Sequence, residues 1–165
     1  MNIDIVSMTE AHWPEVREIY LAGIAGGNAT FETEAPSWEV WDAKHLPFAR
    51  IVALVDGAVK GWAALSPVST RLVYSGVAED SVYVAPDAHG HGLGRALLNH
   101  LIEESESNGI WTLQNSIFPE NVASIRLHLA FGFREVGYRE RIAQLNGLWR
   151  NTIFMERRSK IAGAK

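Results

Sequence analysis

At 165 residues, with 47% hydrophobic and 21% charged residues, the chain has the composition of one globular domain, read as residues 1–160 with a short C-terminal tail, 161–165. Its net charge of −4 speaks against the basic face of a nucleic-acid partner, and the cluster Arg157, Arg158 and Lys160 reads as a solvated tail. Without cysteine there is no disulfide, thiolate metal site or covalent cysteine intermediate, and with no membrane-length apolar run or signal-peptide pattern a cytoplasmic location is expected.

NIDIVS, residues 2–7, alternates as a short strand. Residues 9–23 follow as an amphipathic helix in which Trp13, Val16, Ile19 and Tyr20 share a face and Pro14 sits near the start. Residues 37–45 predict a short helix capped by Ser37. RIVALV and AVKGWAAL, joined by Asp56-Gly57, predict a hairpin whose tight turn needs positive φ. A strand spans about 77–84 and ends at Pro86. HGHGLGRALL, residues 89–98, then places three glycines at alternate positions ahead of a helix from Arg95 to about Asn108. Leu97, Leu98, Leu101 and Ile102 share one face of that helix, and Gly109 stops it. A strand over 110–117 leads to a second helix within 119–133, opened by an Asn121 cap and closed at Gly132. A hairpin of residues 137–145 and 148–158 turns about Asn146-Gly147. The pattern is mixed α/β, with strand–loop–helix–strand at the centre.

Glycine is entropically costly in a folded chain, so Gly90, Gly92 and Gly94 imply a close approach of backbone to something. A Walker loop needs Lys-Ser/Thr where Arg95-Ala96 stand, and a dinucleotide fingerprint needs glycine at Arg95. Two readings remain. The loop's backbone N–H groups, at a helix N-terminus, hold a pyrophosphate, or the glycines only let a helix start close to a strand. His89-Gly90-His91 has no third ligand nearby, so no metal site is expected.

SVYVAPDAHGHGLGRALLNHLI, residues 81–102, resembles the coenzyme A-binding motif of the GNAT N-acetyltransferases, a strand, then Arg/Gln-x-x-Gly-x-Gly/Ala, then a helix. Gly92 and Gly94 fit it, while His89 stands where Arg or Gln is usual. NVASIRLHLAFGF resembles the family's next motif, and the order of elements is similar from end to end. ATFETE, AEDSVYV and LWRNTIFMERR are similar to the phosphinothricin and methionine sulfoximine acetyltransferase branch, with Asn151 where many relatives carry Asp. The resemblance implies a GNAT fold: a mixed, mostly antiparallel sheet of six to seven strands flanked by about four helices. It implies acetyl-CoA as co-substrate, no metal, a small amino acid-like amine as acceptor, direct transfer in a ternary complex, and a homodimer.

Acetylating an amine needs the amine neutral, a donor for developing negative charge, and a proton for the departing thiolate. From the residues alone, Glu79 and Asp80 also read as a polar strand start, and alternation lets only one of them face a site. The resemblance points to Glu79 as general base. It implies His128, where most of the superfamily has Tyr, as the acid; an ordinary packed helix histidine is the other reading. The resemblance further implies that Val82, Tyr83 and Val84 bind the pantetheine, with the oxyanion donor in the Tyr83–Val84 region. His89, Gly90, His91, Gly92, Leu93, Gly94 and Arg95 would hold the pyrophosphate, and Asn121 and Ser124 would touch the coenzyme besides capping a helix. Phe31, Glu32, Ser69, Thr70, Arg71, Tyr74, Glu79, Asp80 and Ser81 would border the substrate. Arg71 suits a carboxylate, and Trp149 is a candidate wall. Two further readings stand beside this one: another acceptor (protein N-terminus, lysine, polyamine or aminoglycoside), or a coenzyme A-binding module without catalysis.

Overall fold

The predicted strands pair into one seven-stranded sheet in a computed structural model that describes residues 1–165. The strands are β1 Ile3–Ser7, β2 Ile51–Val55, β3 Ala58–Pro67, β4 Val77–Val84, β5 Thr112–Ile117, β6 Arg134–Leu145 and β7 Leu148–Arg158. Their order is β1-β2-β3-β4-β5-β7-β6, with every neighbouring pair antiparallel except β4 and β5. Parallel neighbours need a crossover, and helix α3 (Leu93–Ser107) supplies it. The other helices are α1 (Trp13–Gly26), α2 (Trp38–Lys44) and α4 (Val122–Ala130). This is the expected mixed, mostly antiparallel sheet with four helices.

The two faces of the sheet are filled by different helices. On one, α1 buries Trp13, Val16 and Ile19, and Trp62 of β3 stacks on Tyr83 of β4 with ring centroids 4.7 Å apart. Gly23 lets α1 come this close, because a Cβ there would lie 2.8 Å from the Tyr83 ring. On the other face, α3 buries Leu93, Leu97, Leu98, Leu101 and Ile102, and Gly61 of β3 accommodates Leu97. The local signals work as read. Ser37 accepts from the Val40 N–H, Asn121 accepts from the Ser124 N–H, and Asp56 and Gly57 both take positive φ.

Several expectations shift: helix α1 runs Trp13–Gly26 rather than 9–23, and β6 begins at Arg134 rather than 137. Helix α3 begins at Leu93 rather than Arg95, because Gly92, with φ +81°, already acts as its N-cap. Strand β5 begins at Thr112, two residues later than expected, because Trp111 and Thr112 both donate their N–H to the Gly76 carbonyl. Of the basic C-terminal cluster, Lys160 is exposed as expected, but Arg157 and Arg158 are not part of a solvated tail. Arg157 donates to the Phe131 carbonyl and pairs with Glu106, while Arg158 donates to the carbonyls of Ser159, Ala162 and Gly163, curling the chain back onto the sheet.

The parallel pairing of β4 with β5 covers only Val77–Glu79 against Thr112–Gln114. Beyond it β4 continues along β3 to Val84, and β5 continues along β7 to Ile117, so the sheet splits. The closed end of the split depends on Gly76, since a Cβ there would fall 2.0 Å from the Trp111 ring. Gly76→Ala is expected to cost about 1–3 kcal/mol by overpacking, lowering Tm by roughly 2–12 °C for a chain of this size. Differential scanning calorimetry measures it, and an unchanged midpoint would contradict the packing described.

Candidate active site

A cleft of about 1120 Å³ runs through the split, lined by the end of α1, β4, the glycine loop, β5 and α4. It is larger than a pocket for a drug-sized molecule and has room for a coenzyme. The Asn115 side chain donates to the Asp80 carbonyl at 3.2 Å, so that carbonyl faces β5. Backbone N–H and C=O groups of one strand residue point the same way and alternate sides along the strand. Val82 and Val84 therefore also turn their N–H groups to the open side, where β5 no longer pairs with them. Within the Tyr83–Val84 region expected to supply a donor, Val84 has the open N–H, while the Tyr83 N–H faces β3 and its ring packs against Trp62 and Tyr20.

The glycine loop closes one end of the cleft. Gly90 and Gly92 take φ +80° and +81°, a region that L side chains rarely enter, and a Cβ at Gly94 would touch Leu127 of α4 at 3.4 Å. The first N–H groups of α3, at Leu93, Gly94 and Arg95, have no partner within the helix and face the loop's concavity with the positive end of the helix dipole. These features fit a pyrophosphate. His89, the departure from the motif, ties the loop to the strand by donating from Nε2 to the Val84 carbonyl at 3.0 Å. His91 and Arg95 are exposed, and Arg95 lies over the Phe131 ring.

At the point of splitting lies a buried polar network. Asp80 and His128 are 2% and 1% exposed, with His128 Nε2 2.7 Å from Asp80 Oδ2. His128 Nδ1 is 2.7 Å from the Ser124 carbonyl. Both ring nitrogens thus face acceptors, so both donate, and the ring is an imidazolium. Burial alone would depress its pKa; the charge and hydrogen bond of Asp80, with the Ser124 carbonyl, carry it above the usual value instead. Asn115 Nδ2 also approaches Asp80 Oδ2, at 3.3 Å, whereas Asp80 Oδ1 is buried without a partner.

Glu79 projects to the opposite face, toward the α1 side. Burial pushes its carboxyl pKa up and the nearby Asp80 charge adds to this, while the Arg139 guanidinium opposes it. Alternation holds for the pair, yet both residues line the cleft because it passes through the sheet. Ser81, Phe31 and Glu32 line it as well, with Phe31 edge-on to Phe118 at 4.8 Å between ring centroids. Ser69 and Tyr74 border a separate hollow of about 370 Å³ beside Gln114 and Glu156. Thr70 and Arg71 are exposed and line neither space. Trp149 is 51% exposed, under the Arg141 guanidinium, and lines neither cavity. Asn151 accepts from the Arg141 N–H at 2.7 Å, supporting a β6 irregularity outside the cleft.

Several shaping residues escaped the sequence reading. Asn115 is one, and a polar residue in mid-strand was its only signal. Arg150 is another: it donates to the Gly27 carbonyl and Asn28 Oδ1 and lies 4.0 Å over the Phe118 ring centroid, pinning the end of α1 to the cleft. Asn121 completes that wall by donating to the Asn28 carbonyl while it caps α4.

A split sheet with a glycine loop at its mouth and a partly buried carboxylate at its fork defines a class of acyl-group transferase. The acetyltransferase (GNAT) family matches residues 8–133, and the chain belongs to it. It is 36% identical over 154 residues to the phosphinothricin N-acetyltransferase of Alcaligenes faecalis, covering 87% of this chain and 76% of that one. It is 31% identical to the L-methionine sulfoximine/L-methionine sulfone acetyltransferase of Pseudomonas aeruginosa, over 93% of this chain and 82% of that one. The structure of a phosphinothricin acetyltransferase from Sinorhizobium meliloti in complex with acetyl-CoA superposes with a TM-score of 0.88 at 30% identity, covering 100% of this chain and 92% of that one.

The Asp80–His128 pair makes stability depend on pH. His128 keeps its second proton to higher pH when folded than when unfolded, so the pair stabilises fully below the unfolded value near pH 6.5. That contribution fades as pH rises through the raised folded value. Asp80→Asn is expected to lose on the order of 1–3 kcal/mol near pH 5.5, and markedly less near pH 9, by urea unfolding. Equal losses at both pH values would contradict the ion pair.

Proposed function

We propose that the chain transfers the acetyl group of acetyl-CoA directly to the amino group of a small amino acid-like acceptor, of the phosphinothricin, methionine sulfoximine or methionine sulfone kind. The observation that carries this reading is Glu79, partly buried at the fork of the split with its pKa raised. A carboxylate of raised pKa is a stronger base, so it accepts the ammonium proton more readily and frees the amine to attack. The thioester supplies an activated acetyl group, and the Val82 and Val84 N–H groups can donate to its carbonyl or to the pantetheine arm. The first-turn amides of α3 suit the pyrophosphate.

His128 is the sequence candidate for the thiolate's proton donor. Its protons are engaged by Asp80 and Ser124, so donation requires one of those bonds to open. The proton collected by Glu79 is the less constrained source. The names of the relatives support the acceptor class, and holding amine and thioester together supplies much of the acceleration. Tyr138, Ile142, Leu148 and Trp149, apolar residues left exposed along the β6–β7 hairpin, support a homodimer, and the cysteine-free chain suits the cytoplasm.

A thiol-release assay over a panel of amines tests the reading. Turnover is expected on the amino-acid analogues, rising with pH as Glu79 ionises above the usual carboxylate range. Glu79→Gln is expected to lower kcat by about 10²–10⁴-fold and to remove that acid limb, with acetyl-CoA still bound in calorimetry. Silence of the wild type on every amine, with acetyl-CoA bound, would instead make this a coenzyme-binding module.

A further inference from the structure

Strand register places a second cavity beside Glu79. Val77 pairs with Thr112, Glu79 with Gln114, and Gln114 in turn with Glu156 of β7. Paired residues share a face of the sheet, and so do residues two apart on one strand. Glu79 therefore stands in one row with Gln114 and Glu156, next to Val77 and Thr112. Val77, Thr112, Gln114 and Glu156 floor the hollow of about 370 Å³, and Ser69 and Tyr74, from the loop between β3 and β4, border it. The hollow thus opens on the same face as Glu79, one residue along from it.

Its floor is polar and incompletely bonded. The Gln114 side chain is half-buried and makes no hydrogen bond within the chain. Glu156 Oε1 accepts from Arg134 Nη2 at 2.7 Å, while Oε2 has no partner. Arg134 opposes Glu156 on β6, the strand farther from Glu79, and its side chain is 66% exposed against 29% for Glu156. It does not line the hollow, so water screens its charge while the carboxylate meets whatever fills the space. Adjacent strands lie about 4.8 Å apart, so the row from Glu79 to Glu156 spans roughly 10 Å. That is the reach of a small amino acid with a hydrogen bond at each end.

We infer that Glu156 selects the acceptor's side chain by charge: with the amine at Glu79, the side chain crosses Gln114 into the hollow and must be neutral at its tip. The inference rests on the amino acid-like acceptor proposed above. A sulfone or a sulfoximine meets the requirement. Both are uncharged, the Gln114 amide can donate to their oxygens, and a sulfoximine N–H can donate to Glu156 Oε2. Phosphinothricin carries a phosphinate anion at the same place, and an anion beside a carboxylate in a partly desolvated hollow is repelled. Among the acceptors that the relatives' names give, the chain is therefore suited to methionine sulfone and sulfoximine ahead of phosphinothricin.

Thiol release, at low and high salt, gives kcat/KM for L-methionine sulfone and L-phosphinothricin in the wild type, Glu156→Gln and Arg134→Leu. The wild type is expected to favour the sulfone by about 10-fold or more. In Glu156→Gln that ratio should fall about 10-fold, as phosphinothricin improves. In Arg134→Leu it should rise, because the carboxylate loses its counter-charge. Salt should lower the wild-type ratio by screening the repulsion and leave that of Glu156→Gln unaltered. A merely structural role for Glu156 would move both variants the same way and would not answer to salt. A wild type that favours phosphinothricin, a ratio unchanged in Glu156→Gln, or variants that shift it alike overturns the inference and leaves the acceptor class standing. Should Glu156→Gln fail to fold, the salt dependence and Arg134→Leu decide, and a ratio that neither moves overturns the inference. A wild type silent on both acceptors overturns the acceptor class and the inference with it.

Discussion

The active cleft depends on a parallel strand pairing that stops after three residues. At its closed end the Gly76 carbonyl takes the N–H groups of both Trp111 and Thr112. At its open end the Asn115 side chain takes the Asp80 carbonyl, where a further ladder bond would otherwise continue the sheet. An interior strand with an unpaired edge is normally a liability, because its amides and carbonyls have lost water and found no partner. Here the free edge beyond Asp80 becomes a surface that an extended ligand can pair with as an added strand.

At the fork of the split lies a charged pair whose side chains are almost fully buried. Asp80 on β4 and His128 on α4 bond across the fork. Burying two charges carries a desolvation penalty that mutual attraction offsets only with good geometry, so the pair is better understood as fixing an arrangement than as adding stability. Placing Asp80 on one face and Glu79 on the other lets adjacent carboxylates do different work. One is neutralised by an imidazolium; the other has its pKa raised by burial and, in part, by its neighbour's charge.

The features legible in the sequence are those whose cause is local. Gly90 and Gly92 are read correctly as special backbone positions because φ near +80° strongly favours glycine, and Ser37 and Asn121 because a helix cap is decided within four residues. The motif's spacing likewise brought Glu79, the loop and α4 together in one cleft. Features that need a partner far along the chain were not legible. Nothing around Arg150 reveals that it holds the carbonyl of Gly27, and nothing around Arg158 reveals the three carbonyls it gathers. Arg71 is indistinguishable from any other surface arginine until the fold places it on an exposed loop that lines neither cavity. Trp149 misled for the same reason, because an aromatic residue in an alternating strand does not declare which side of a hairpin arm is covered.

The central claim is that the free β4 edge binds the coenzyme. Amide hydrogen exchange at single-residue resolution, with and without coenzyme A, tests it most directly. The account predicts that the Val82 and Val84 amides exchange rapidly in the free protein and become strongly protected with coenzyme, together with those of Leu93 and Gly94, while Tyr83, already paired to β3, changes little. Protection of Val82 and Val84 without coenzyme, or binding that leaves their exchange unaltered, would contradict it.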